Sequence, residues 1–243
     1  MSPPQIDKSA QDTLKQEAAA AAVELVEDGM VVGLGHGSTA LHAVHGIAER
    51  YASGVLGNIL TIPCSRHIEM EAKRLGLPLA TFDEVGVIDI TIDGADEVDP
   101  AFNVIKGGGG ALLREKVVAQ ATAREVIVVD ASKLSPHLGV RWPVPLEVIP
   151  FALRPTLDYA ASLGAKAEVR RMPTGETFVT DQGNAIIDCA FGPMEDPRVI
   201  AARLDARAGI VEHGLFLNLV HDVIMAAPTG VRYLVKQVRD GSG

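Results

Sequence analysis

Cysteine is nearly absent. Cys64 and Cys189 are the only two in 243 residues, too few for a disulfide framework or a cysteine-based zinc site. Cationic residues are also in deficit: 22 Lys and Arg face 31 Asp and Glu, for a formal charge of −9 and a pI near 5.2. That balance argues against a nucleic-acid or anionic-membrane partner, since both recruit an excess of Lys and Arg. An anionic ligand would have to be held by a local positive site. No apolar run approaches the roughly 20 residues needed to span a bilayer, and the N-terminus lacks the charged-then-apolar pattern of a secretion signal. These absences point to a reduced, cytoplasmic setting. There is no internal repeat and no low-complexity tract.

What is present is ordinary for a globular chain, 47% apolar and 22% charged, with enough length for one large domain or two unequal ones. Residues Ser2 to Asp7 read as a loose, proline-containing arm. The Ala-rich stretch from Ser9 to Glu27 predicts a helix. Met30 to Leu34 then reads as a buried strand running into Gly35-His36-Gly37-Ser38-Thr39, and a second helix follows from Thr39 to Tyr51. Strand, glycine turn and helix in this order make an anion site, because backbone N–H groups and the helix dipole converge there. The turn lacks the third glycine of a dinucleotide fingerprint. The next strand, Asn58 to Ile62, ends in Pro63-Cys64-Ser65 with no acid to hold a ribose, and no Walker lysine follows the glycines. A single phosphate fits better than a nucleotide, and a plain glycine turn with a capping Ser or Thr remains the alternative.

The alternation continues: helix 68–75, short strand 79–82, strand 87–92, helix 111–122 and strand 125–129. It implies an α/β fold with a mostly parallel, doubly wound sheet flanked by helices. After Lys133 prolines mark a boundary at 136, 143, 145 and 150. Strand 144–149, helix 152–163, strands 166–171 and 184–190, helix 197–207 and strand 210–217 then give βαββαβ, the ferredoxin-like plan of a smaller α+β domain. The apolar runs 220–225 and 231–235 are expected to return to the first sheet.

Chemistry concentrates between Asp93 and Lys116. Asp93 and Asp96 flank Gly94-Ala95 at a strand end, as paired carboxylates suited to hydroxyl proton transfer or metal binding; a solvated acidic turn has the same composition. Lys106 opens the run Gly107-Gly108-Gly109-Gly110, where a cation and glycine amides can meet an oxyanion. Glu115 follows in the first turns of the next helix, as a general base or as a charge favoured by the helix dipole. His42 and His45 could share a metal but have no evident third ligand, so a half-exposed helix face is the alternative. Cys64 reads as a small buried side chain.

Taken together, Gly33 to Thr39, Asp93-Gly94-Ala95-Asp96-Glu97, Lys106 to Ala111, Arg114-Glu115-Lys116 and Asp130-Ala131-Ser132-Lys133 closely resemble the type A ribose-5-phosphate isomerases in order and spacing. Weaker similarity extends over nearly the whole chain. The resemblance implies a Rossmann-like catalytic domain of residues 1–140 and 214–243, with a smaller ferredoxin-like domain at 141–213. It implies aldose–ketose isomerisation of a phosphosugar in the pentose phosphate pathway without metal or cofactor, by homodimers or homotetramers. By matching position, Glu115 would be the base that moves a proton between C1 and C2. Asp93, Asp96 and Lys106 would assist ring opening and stabilise the enediolate. His36, Gly37, Ser38, Thr39, Gly94, Ala95, Gly107, Gly108, Gly109 and Lys133 would bind substrate. The family commonly has Thr at the place of His36, and a shorter small-residue run at Gly109-Gly110.

Overall fold

The computed structural model describes residues 8–236, so the arm expected at Ser2 to Asp7 lies outside the described residues. In chain order the elements are α1 (Lys8–Val23), β1 (Val31–Leu34), α2 (Ser38–Ala52), β2 (Leu60–Pro63), α3 (Arg66–Arg74), β3 (Ile88–Asp93), β4 (Glu97–Val98), β5 (Val104–Ile105) and α4 (Leu112–Gln120). There follow β6 (Thr122–Asp130), β7 (Val144–Val148), α5 (Leu153–Ser162), β8 (Lys166–Val169), β9 (Ala185–Ala190), α6 (Pro197–Asp205), β10 (Ile210–His213), β11 (Leu215–Phe216), β12 (Asp222–Ala227) and β13 (Gly230–Tyr233). They form two compact units. One comprises the described chain from Lys8 through Gly94, Ala121–Lys133 and His221–Val235; the other includes Ala95–Gln120 and Leu134–Val220. None of the described helices is long and apolar enough to cross a membrane.

In the first unit six strands run in the order β13-β12-β6-β3-β1-β2. β2, β1, β3, β6 and β12 are mutually parallel, and β13 closes one edge as an antiparallel hairpin partner of β12. Buried parallel strands need apolar side chains on both faces, which explains why Val126 to Val129 read as an unbroken apolar run and are all buried. Val32, Leu34, Ile90, Ile92, Val126 and Val128 share a core with Ala18 and Ala22 of α1 and Val44 and Ile47 of α2. α1 stops at Val23 rather than Glu27, because the next amides tighten: Leu25 and Val26 donate to the carbonyls of Ala22 and Val23. Sequence order reverses around β1, with β2 on one side and β3 on the other. That is the switch point at which open α/β sheets receive ligands. The two late apolar runs do return to this sheet, as β12 and β13.

In the second unit β10-β7-β9-β8 is an antiparallel sheet. With α5 between β7 and β8, and α6 between β9 and β10, it has the ferredoxin-like connectivity expected. Leu146, Val148, Ile187 and Cys189 pack there with Ala160 and Leu204 from the two helices. A three-stranded sheet, β11-β5-β4, belongs to the same unit.

Three local expectations are corrected. The strand at 79–82 is a single bridge, Leu79 to Thr61. Strands β4 and β5 were not anticipated, because two residues carry no period to read. The single strand expected at 210–217 is two strands in two sheets, divided at Gly214, which donates to the Pro145 carbonyl and accepts from the Lys106 N–H.

Candidate functional site

In the first unit the switch point brings together the ends of β1 and β3. Gly35 N–H donates to the Ile92 carbonyl at 3.0 Å. The next amide, His36 N–H, donates to Asp93 Oδ1 at 2.9 Å, and Gly94 N–H donates to the same oxygen at 2.7 Å. Asp93 is thereby fixed, and it is 1% exposed. Only glycine fits at position 35, since a Cβ there would overlap the Asp93 backbone and carboxyl group. α2 begins at Ser38 with Gly37 in the capping position and no side-chain cap. Its first-turn amides therefore have no capping side chain and sit at the positive end of the helix dipole. Lys15 of α1 adds charge at the same place, donating from Nζ to Ser38 Oγ at 3.0 Å.

The His36 imidazole is engaged elsewhere. Its Nδ1 lies 2.9 Å from Ser65 Oγ, the hydroxyl that caps α3 by accepting from Ile68 N–H. Lys133 ends a short 3-10 turn, Ala131–Lys133, directly after β6. Buried Asp130 shapes that turn by accepting from Ser132 N–H and from the Gln11 amide.

In the second unit Asp96, Lys106, the glycine loop and Glu115 are linked by short contacts. Asp96 N–H donates to the Ile105 carbonyl, and its Oδ2 accepts from Gly108 N–H at 2.7 Å. A side chain at position 108 would collide with the Asp96 carboxylate, which is why this turn is glycine. Lys106 Nζ lies 3.0 Å from Glu115 Oε1, with 2% and 4% of the two side chains exposed. Glu115 sits in the first turn of α4, where its charge is favoured by the helix dipole. The Phe216 ring carries two ammonium groups, Lys106 at 5.7 Å and Lys116 at 4.9 Å from its centroid, a favourable charge–quadrupole contact for each.

Lys116 faces a different cluster from its neighbour Glu115. Its Nζ is 2.6 Å from Glu212 Oε1 and 2.6 Å from the His213 carbonyl oxygen. His213 is pushed down to about 4, first by burial and then by the Lys116 charge, and burial lowers Lys116 as well. Asp205, Glu212 and His213 form the one group among the described residues whose atoms could converge on a metal, within 4.8 Å of one another. The arrangement does not favour an ion. His213 Nδ1 accepts from Leu215 N–H, which puts the ring proton on Nε2 toward Asp205 Oδ1 at 3.1 Å, and the Lys116 ammonium already stands where a cation would bind. His42 and His45 do not converge, for their Nε2 atoms go to Asp12 and to Glu71. Cys64 is buried, as expected.

Of the residues singled out from sequence, the first unit holds His36, Gly37, Ser38, Thr39, Asp93, Gly94 and Lys133. The second holds Ala95, Asp96, Lys106, Gly107, Gly108, Gly109 and Glu115. Sequence reasoning missed Lys15. The available signal was a lone basic residue between Leu14 and Ala18, on the edge of the helix face that is buried.

A parallel sheet with a glycine turn and a buried carboxylate at its switch point, and a glycine loop carrying a buried lysine–glutamate pair, define an α/β enzyme equipped for acid–base chemistry. Residues 60–230 match the family of ribose 5-phosphate isomerase A, also called phosphoriboisomerase A. The ribose-5-phosphate isomerase A of Chloroflexus aurantiacus is 54% identical over 223 residues, which is 92% of this chain and 93% of that one. The structure of ribose 5-phosphate isomerase A from Methanocaldococcus jannaschii has a TM-score of 0.88 at 37% identity and covers 93% of this chain and 100% of its own. A D-ribose-5-phosphate isomerase in complex with phospho-erythronic acid has a TM-score of 0.89 at 36% identity, covering 92% and 98%. The chain belongs to the ribose 5-phosphate isomerase A family.

Proposed function

We propose that this protein interconverts D-ribose 5-phosphate and D-ribulose 5-phosphate through an enediolate, with Glu115 as the base. The observation that carries the reading is the buried pair of Lys106 and Glu115 at 3.0 Å, a base and a cation at the root of one glycine loop. Abstraction of the C2 proton of the open-chain aldose leaves an electron pair that forms the C1–C2 double bond, and the carbonyl pair moves to O1. That step needs a positioned base and positive charge near the developing oxyanion. The O2 proton is then transferred to O1, the C2 carbonyl forms, and protonated Glu115 returns its proton to C1. Electrons only move within the sugar, so the balance calls for no redox cofactor.

Asp93 and Asp96 serve ring opening and the hydroxyl proton transfer. Gly94, Ala95, Gly107, Gly108 and Gly109 bring backbone close to the sugar. The turn of His36, Gly37, Ser38 and Thr39 takes the phosphate end or its neighbouring hydroxyls, with Lys133. Lys15 joins them, supported by its bond to the Ser38 hydroxyl. Catalysis is assigned to residues 1–140 and 214–243, with 141–213 as the smaller domain. Family membership further supports a cytoplasmic homodimer or homotetramer in the non-oxidative pentose phosphate pathway. The test is a coupled assay of ribose 5-phosphate conversion with Glu115→Gln beside the native protein. The variant should lose several orders of magnitude in kcat with a modest change in KM; an active Glu115→Gln enzyme would overturn the assignment of the base.

A further inference from the structure

The peptide that joins Gly107 to Gly108 is gripped at both ends. Its carbonyl accepts from Arg170 Nη1 at 2.8 Å, and its N–H donates to Asp96 Oδ2 at 2.7 Å. The following carbonyl, of Gly108, accepts from the same guanidinium nitrogen at 3.0 Å. Arg170 stands directly after β8, far from the glycine loop in sequence but in the same compact unit. Its own position is fixed. Nε and Nη2 donate to the two oxygens of Asp188 on β9, at 2.9 and 2.5 Å. The Phe178 ring lies 5.7 Å from the guanidinium carbon and packs where a side chain at Gly110 would have to go.

Glycines have no side chains through which packing could orient their peptide planes, and they are the residues with most backbone freedom to lose. The orientation of this loop is therefore set by what holds its carbonyls: that of Gly107 accepts from Gly110 N–H at 2.9 Å within the turn as well as from Arg170, and that of Gly108 accepts from Arg170. There is no cis peptide among the described residues, so the C=O and N–H of each unit point in opposite directions. Anchoring the Gly107 carbonyl on Arg170 aims the Gly108 N–H at Asp96. Anchoring the Gly108 carbonyl turns the N–H of exposed Gly109 away from the guanidinium. A planar guanidinium, already saturated on its other side by a bidentate carboxylate, can hold two successive carbonyls in fixed directions; a lysine ammonium or an apolar contact cannot. Its charge is neutralised by Asp188, so its effect on the loop is one of direction and not of net field.

We propose that Arg170 is a positioning residue for the isomerisation: through one loop peptide it sets the Asp96 carboxylate, and through the next it presents the Gly109 N–H to the reacting oxygens of the sugar. The inference rests on the reading of function given above.

The experiment compares Arg170→Lys, Asp96→Asn and the double variant. Arg170→Lys should lower kcat about a hundredfold, the scale of a misplaced catalytic group, with a much smaller change in KM and a nearly native melting profile. In the Asp96→Asn background the same change should cost only a few-fold, because the two residues act through one peptide. Guanidinium chloride at tens of millimolar should return part of the activity of Arg170→Ala. If Arg170→Lys keeps native kcat, or if the two losses multiply in the double variant, Arg170 merely ties the loop down and the proposal is wrong. Should Arg170→Lys fail to fold, Asp188→Asn, which loosens the guanidinium from behind, carries the same test and should lose kcat to a lesser degree. The amide resonances of Gly108 and Gly109 and the Asp96 carboxyl titration, read by NMR in Arg170→Lys, require no substrate. They should shift, and unshifted signals overturn the proposal. Failure of the native protein to turn over ribose 5-phosphate would instead refute the reading of function, with the NMR result still deciding what Arg170 does to the loop.

Discussion

Lys106 Nζ and Glu115 Oε1 face each other at 3.0 Å with almost no exposure to water. A charge pair in such a place is held by mutual attraction against a large desolvation cost. Removing one partner is therefore far worse than removing both. Lys106→Met should lower unfolding free energy by about 3–5 kcal/mol and abolish turnover. Lys106→Met with Glu115→Leu should recover most of the stability and none of the activity. Urea unfolding and the coupled assay on the same preparations separate the two effects, and a stable but inactive double variant is the expected result.

Gly35→Ala places a methyl group against the Asp93 carboxyl and main chain. Overpacking of this kind costs about 1–3 kcal/mol, and here it displaces a residue assigned to hydroxyl proton transfer. The melting temperature and kcat should both fall. Gly86→Ala is the control, since its Cβ would meet nothing within 4 Å; it should melt and turn over like the native protein.

His213 gives stability a pH dependence of definite sign. In the unfolded chain its imidazole takes up a proton near 6.5, whereas in the fold, packed against Lys116, Glu212 and Asp205, it does so only near 4. Between those values the unfolded state binds more protons, so stability rises with pH. This contribution is complete above about 6.5 and is lost as the pH falls through about 4. Urea midpoints measured across that window should slope upward in the native protein and slope less in His213→Gln. Equal slopes would mean that another group titrates there.

Activity should survive dialysis against EDTA. In the Asp205, Glu212 and His213 group the Lys116 ammonium already occupies Glu212 and the His213 carbonyl, and the proton-transfer route asks nothing of a metal. Loss of turnover on chelation, restored by a divalent ion, would contradict that route.

The sequence was most informative where a function is carried by a short contiguous stretch. Asp93, Asp96, Lys106 and Glu115 fall within one segment, and the glycines around them mark turns whose crowding the structure displays at Gly35 and Gly108. It was least informative where the partner is remote. Lys15 meets Ser38 across 23 residues, and Arg170 meets Gly107 and Gly108 across 63 and 62; nothing in the local pattern of either residue names its partner. The division of 210–217 into β10 and β11 was hidden for a related reason. Apolar pairs stand on both sides of the break, Ile210-Val211 before it and Leu215-Phe216 after it, and it is the amide and carbonyl of Gly214, bonded to Pro145 and Lys106, that show the chain changing sheets.

The two compact units are interleaved along the chain, and this has a consequence for biosynthesis. β6 pairs with β3 on one side and with β12 on the other, yet the whole of Leu134–Val220, which belongs to the second unit, is translated between β6 and β12. A nascent chain still lacking Ala227 thus carries a parallel sheet with one interior edge unpaired, the kind of edge that invites pairing with another chain. The ribosome must translate all of Leu134–Val220 and then β12 before the sheet of the first unit can be closed.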